Sequence, residues 1–125
     1  MKDFQLLGLA SILIVEDEPF VALELKASFE EAGGRVVGPV GSAVAALELL
    51  EREVVAAAVL DVQLSDGIVT PVVSALVRLG IPMIFQSGVN LPPDLRRQCP
   101  DAVYYKKPVA AQLLLSKIAE LIGRE

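Results

Sequence analysis

Three short apolar runs with hardly a polar break set the terms for this chain: SILIV at 11–15, VVAAAVL at 54–60 and IPMIF at 81–85. Each is far too short to cross a bilayer, which takes about 20 apolar residues. None alternates with polar residues, as a strand with one wet face would. Runs of this kind suit strands buried on both faces, the condition of a parallel sheet covered by helices. Each strand also closes on polar residues: Glu16, Asp17 and Glu18 after the first run, Asp61 after the second, Ser87 after the third.

Helical patterns fill the intervals. Pro19 fits a first turn, and Phe20 to Ala32 follows with Phe20, Leu23 and Ala27 on the face expected to point inward, before Gly33 and Gly34 stop it. RVVG at 35–38 is a second strand; Ser42 caps a helix from Ala43 to Arg52 with Ala43, Ala46, Leu47 and Leu50 on one face. The third strand is Val54–Asp61, Asp66–Gly67 is a turn, and Ile68–Leu79 is a helix with Pro71 in its first turn and Gly80 past its end. Ile81–Gln86 is the fourth strand, Leu91–Pro100 is weakly helical, Ala102–Lys106 is the fifth strand, and Pro108–Ile122 is the last helix, with Leu114, Ile118 and Leu121 inward. Five rounds of strand then helix argue an α/β domain built on a doubly wound five-stranded parallel sheet with right-handed crossovers. A dinucleotide-binding unit would show GxGxxG after the first strand; EDEPFV stands there instead, and there is no Walker A sequence. Residues 11–123 form the domain, and 1–10 are an extension whose Phe4, Leu6, Leu7 and Leu9 can pack on it or on a neighbour.

Composition removes several chemistries. With 125 residues, no histidine and one cysteine, the chain has no histidine acid–base catalysis, no His- or Cys-rich zinc site and no internal disulfide. A net charge of −5 opposes a broad nucleic-acid surface, and the absence of a signal peptide or spanning segment points to a reduced, cytoplasmic protein without membrane insertion. What remains is oxygen chemistry at the carboxyl ends of the strands, where open α/β sheets bind ligands. Glu16, Asp17, Asp61, Ser87 and Lys107 all fall there. Hard carboxylate oxygens with no soft ligand nearby suit Mg²⁺. Asp17 and Asp61 are the expected direct ligands, Glu16 would hold a metal-bound water, and a backbone carbonyl near Gln63 would add a further ligand. Lys107 offers charge and donors to a phosphoryl oxygen, Ser87 one donor to another, and Asp61 is also a nucleophile toward phosphorus. Each of these residues alone has an ordinary reading as a helix start, a turn acid or a solvated basic run; their joint placement is what carries the argument.

The set resembles the receiver domain of bacterial two-component response regulators, which has the flavodoxin-like chemotaxis-regulator architecture. ILIVEDEP resembles the first strand with its acidic pair, VLDVQ the phosphoacceptor segment, FQSG the strand with the switch hydroxyl, and YYKKP the lysine–proline segment. The match spans about residues 10–123, with spacings of 44, 26 and 20 between Asp17, Asp61, Ser87 and Lys107. The resemblance implies Asp61 as phosphoacceptor, Lys107 as active-site lysine, and Ser87 with Tyr104 as the switch. It implies a sensor histidine kinase or phosphotransfer protein as donor, the missing histidine belonging to that partner, and a downstream protein target. It implies a protein that catalyses its own phosphorylation and dephosphorylation and turns over no external substrate. Gln63 and Val89 would border the hydrolytic water, and Gly88 would leave room for the donor.

Two departures stand out. Asp66–Gly67 come about two residues early, a shortening that resembles stand-alone and kinase-associated receivers of alphaproteobacteria; and the segment after Ser87 is proline-rich, which alters the usual output face. The residues after the last helix hold no recognisable DNA-binding or enzymatic output segment, and whether the chain is a stand-alone receiver or an excised domain, output is expected to pass through protein contact. Homodimerisation through the face of the fourth helix, fifth strand and last helix is one expected use of the leucines at 113–115. The competing readings are a constitutive adaptor, which retained Mg²⁺ affinity would oppose, and a small Mg²⁺-dependent hydrolase, which multiple turnover on phosphate esters would reveal.

Overall fold

The computed structural model describes residues 6–123. In chain order it runs β1 (Ser11–Val15), α1 (Pro19–Glu31), β2 (Arg35–Val40), α2 (Ala43–Arg52), β3 (Ala57–Leu60), β4 (Gln63–Leu64), β5 (Gly67–Ile68), α3 (Thr70–Leu79), β6 (Met83–Ser87), α4 (Pro93–Gln98), β7 (Val103–Lys106) and α5 (Ala111–Gly123). The main sheet is parallel, in the order β2-β1-β3-β6-β7. The apolar runs are therefore its three central strands, buried along almost their whole length.

Because side chains alternate across a strand, each central strand feeds two cores. Leu13, Leu60 and Phe85 pack toward α2, α3 and α4 with Val72, Leu76 and Leu95. Ile12, Ile14, Val59 and Ile84 pack toward α1 and α5 with Leu25, Phe29, Leu114, Leu115 and Ile118. Ser42 caps α2 by accepting from the Ala45 N–H at 3.1 Å, Pro71 sits in the first turn of α3, and Gly80 ends α3 at φ +71°.

The structure corrects the phase of α1. Its buried residues are Ala22, Leu25 and Phe29, whereas Phe20 is 87% exposed and Leu23 61%, and Ala27 is also exposed. The helix carries two apolar stripes at 3–4 spacing, and docking on the β1 face selects the one containing Phe29. The remaining differences are at element ends. β3 begins at Ala57, leaving Val54 exposed, and β2 runs on to Val40 through a cis Gly38–Pro39 bond. α5 begins at Ala111, past a cis Lys107–Pro108 bond, and buries Leu114, Leu115 and Ile118, with Leu121 only half-buried. The turn expected at Asp66–Gly67 falls one residue earlier: Ser65–Asp66 turn a small antiparallel hairpin, β4–β5, in which Gly67 already pairs with Leu64. From the extension, Leu7 is buried in the α1/α5 core, and the Leu7 and Leu9 N–H groups donate to the carbonyls of Ala32 and Gly33 just past α1. Leu6 and Leu9 are exposed; Phe4 lies outside the described residues. Among the described residues no helix is long and apolar enough to cross a membrane.

Candidate functional site

The chemically interesting residues sit at or just past the strand ends, and the sheet ladder itself fixes their backbone. The Glu16 N–H donates to Val40 O at 2.8 Å, Asp61 N–H to Val15 O at 2.9 Å, and Lys107 N–H to Ser87 O at 2.8 Å. Residues distant in sequence are thus held on one edge by the same hydrogen bonds that build the sheet.

Side chains converge above that edge. The Lys107 ammonium lies 3.0 Å from Asp61 Oδ2 and 2.9 Å from Glu16 Oε1. The Glu16 side chain is wholly buried, and its carboxylate accepts two further donors: the Gln86 amide on Oε1 at 2.5 Å and the Glu18 N–H on Oε2 at 3.0 Å. Burial raises the Asp61 carboxyl pKa and Glu16 adds to the rise, while the Lys107 hydrogen bond opposes it. Burial alone would lower Lys107, but its hydrogen bonds to Glu16 and Asp61 outweigh this and push its pKa up.

One carboxylate oxygen from each of Glu16, Asp17 and Asp61 lies within 4.8 Å of the others. Against three acids there is one lysine, so the cluster carries excess negative charge. Among the described residues Asp17 has no hydrogen bond or ion pair, and Asp61 commits only Oδ2. Two carboxylates with open oxygens beside a third that already accepts three donors fit a hard divalent cation that keeps several waters, which is the habit of Mg²⁺. The site is a plausible Mg²⁺ site on that ground. Asp17 and Gln63 line one shallow cavity of about 290 Å³ together with the hairpin residues Leu64, Gly67 and Ile68.

Ser87 is buried at the end of β6, where its Oγ accepts from the Val89 N–H at 3.2 Å. The Val89 carbonyl in turn accepts the Tyr104 hydroxyl. Ser87 and Tyr104 are therefore linked through a single residue, not by direct contact. Gly88 has open space above it, since nothing lies within 4 Å of an added Cβ.

Four further residues shape the site in ways the sequence did not assign to them. Gln86 is 1% exposed and bonded to Glu16. Its signal was a polar residue two positions after Ile84, on the strand face that meets α1 and α5. Gly41 lets the β2–α2 loop approach Asp17, because an added Cβ would lie 3.1 Å from the Asp17 Cα. Asp66 accepts the Ala43 and Val44 N–H groups at 2.8 and 3.1 Å, which holds its pKa down, and Ser65 Oγ donates to Gly41 O at 2.9 Å. The early Asp–Gly pair thus ties the hairpin, and Gln63 with it, to the start of α2.

No family model matches the chain, and no curated protein does. Solved structures do. SdrG from Sphingomonas melonis Fr1 is 34% identical, with 91% of this chain and 96% of that one covered and a TM-score of 0.74. A CheY-like response regulator receiver domain protein from Methanospirillum hungatei JF-1 is 27% identical over 94% and 96%, with a TM-score of 0.82. A sensor protein from Polaromonas sp. JS666 is 29% identical over 92% and 97%, at 0.77.

Proposed function

The chain belongs to the receiver-domain family of response regulators, and on that premise we propose how its residues divide the work of a phosphorylation-dependent signalling switch. A receiver catalyses its own phosphorylation and dephosphorylation, and turns over no external substrate. The observation that carries the assignment is the Asp61–Lys107–Glu16 ion cluster beside Asp17 at the strand ends.

Asp61 is the phosphoacceptor. A carboxylate oxygen of Asp61 attacks phosphorus, the new O–P bond forms, the N–P bond of a donor phosphohistidine breaks, and the imidazole leaves with the bond's electron pair. The donor is a sensor histidine kinase or phosphotransfer protein. Asp17 and Asp61 would hold Mg²⁺, with Glu16 toward a water in its shell and the backbone carbonyl near Gln63 as a further ligand, and the ion would supply positive charge to the transferring oxygens. Lys107 supplies the second positive charge. Gln63 and Val89 border the path of the water that later cleaves the acyl phosphate.

Ser87 and Tyr104 are the switch. When the Ser87 hydroxyl turns to donate to a phosphoryl oxygen, it gives up the Val89 N–H, loosening the residue whose carbonyl anchors the Tyr104 hydroxyl. The state of Asp61 is thereby read out at β7, and the output is a change in protein–protein contacts with a downstream target. Self-association through α4, β7 and α5 has Leu113 to support it, 55% exposed beside the buried Leu114 and Leu115.

Acetyl phosphate with Mg²⁺, followed at once by intact-mass measurement, tests the assignment. The expected result is a gain of about 80 Da that hydroxylamine removes and that Asp61→Ala abolishes. An undiminished gain in Asp61→Ala, or one stable to hydroxylamine, overturns it.

A further inference from the structure

We propose that Gln86 is a positioning residue: its amide holds the Glu16 carboxylate in place, so that Lys107 can turn from Glu16 to the incoming phosphoryl group. This rests on Asp61 being the phosphoacceptor.

Gln86 occupies a position that strand alternation would give to an aliphatic side chain. Ile84, two residues earlier, lies in the α1/α5 core, and Gln86 lines a cleft of about 350 Å³ together with Lys107 and the apolar Val21, Pro108 and Val109. A buried amide there needs a partner, and it has one in Glu16 Oε1. The same oxygen also receives Lys107 at 2.9 Å, while Oε2 receives the Glu18 N–H.

Lys107 is thus shared between Glu16 and Asp61 before any phosphoryl group arrives. To act on that group it must loosen its hold on Glu16. With Gln86 present, Oε1 keeps a donor when the lysine leaves. Without Gln86, Oε1 of a fully buried carboxylate would be left with none, and the lysine would be held back by the cost of that desolvated charge. Gln86 therefore acts on the chemical step through Glu16 and Lys107, not by touching the reacting atoms.

The test uses Gln86→Met, similar in volume and without a donor, with Gln86→Leu as a second variant and Glu16→Gln alone and combined. Asp61 labelling by acetyl phosphate is followed over a range of Mg²⁺ concentrations. The expected result is a rate at saturating Mg²⁺ about tenfold below wild type, with the Mg²⁺ half-saturation changed by less than about threefold. In the Glu16→Gln background, where position 16 carries no charge for Gln86 to satisfy, adding Gln86→Met costs less than about threefold. In wild type, the Gln86 side-chain amide protons stay protected from exchange when beryllofluoride is added, a measurement that needs no variant to fold. An unchanged saturated rate overturns the proposal. So does a loss confined to Mg²⁺ half-saturation, the same tenfold loss in the Glu16→Gln background, or loss of amide protection with beryllofluoride. Failure of wild type to be labelled at Asp61 would instead remove the phosphoacceptor reading itself.

Discussion

Asp61→Asn should make the metal-free protein more stable. The substitution keeps the shape of the side chain and an acceptor for Lys107, and removes one negative charge. Asp61 faces two carboxylates within 4.8 Å and one ammonium at 3.0 Å. At an effective dielectric constant of about 20, each repulsion is about 3.5 kcal/mol and the attraction about 5.5 kcal/mol, a net repulsion of about 1.5 kcal/mol. Water around exposed Asp17 screens part of the repulsion, and desolvation of Asp61 works in the opposite direction, so Asp61→Asn gains about 1–2 kcal/mol, or roughly 3–6 °C in Tm. The pH dependence has a definite sign. Asp61 has a raised pKa, chiefly from burial, so its ionised form costs the folded state. At pH values where Asp61 is protonated both folded and unfolded, that cost is absent. It appears as pH rises through the folded pKa and is complete above it, so the gap between variant and wild type opens with rising pH. Mg²⁺ at ten times its dissociation constant stabilises wild type by about 1.4 kcal/mol and the variant far less, which closes the gap. Urea unfolding in EDTA and in Mg²⁺ measures all of this. A variant no more stable than wild type in EDTA, or equally stabilised by Mg²⁺, would refute the reasoning.

Mg²⁺ titration followed by backbone NMR should give saturable shifts in the millimolar range, centred on residues 16–18, 61–63 and 107, and lost in an Asp17→Ala, Asp61→Ala double variant. Gly41→Ala should weaken Mg²⁺ binding several-fold in the same titration, because its Cβ would press on the Asp17 backbone at 3.1 Å. Phe29→Ala should cost about 3–5 kcal/mol in denaturant unfolding, while Phe20→Ala stays within about 0.5 kcal/mol, since one ring is fully buried and the other is 87% exposed. Sedimentation velocity with and without beryllofluoride should show a state-dependent dimer if the Leu113 face self-associates; an unchanged monomer up to about 100 μM in both states assigns that face to another protein.

The α1 helix shows where sequence reading stops. Periodicity found the helix and Pro19 its start, because those signals are local. It could not choose between the Phe20–Leu23–Ala27 and Ala22–Leu25–Phe29 stripes, because both have 3–4 spacing and similar apolar weight. The choice is made by a non-local fact, the direction in which β1 delivers the chain onto the sheet, and so Phe29 takes the core while Phe20 meets solvent. The five-stranded sheet was readable for the opposite reason. A strand buried on both faces has no phase to choose, and SILIV reads the same from either side.

The site divides in the same way. Glu16, Asp17, Asp61 and Lys107 could be placed together because each lies within two residues of a strand's end, and parallel strands bring those ends to one edge. The residues that make the edge selective were harder to see, because they act across the fold. Asp66 reads as a turn acid until its carboxylate is found on the N–H groups of α2, more than twenty residues back in the chain. Ser87 and Tyr104 read as a pair only by resemblance, and the contact between them runs through the backbone of Val89, which no side-chain pattern encodes. Gln86 is the intermediate case. Its polarity within an apolar strand was visible, but a reason for it required knowing that Glu16 is buried and that Lys107 is already shared between two acids. A group whose value lies in what it leaves another group able to do has no local signature, so it emerges only once every donor to Glu16 has been accounted for.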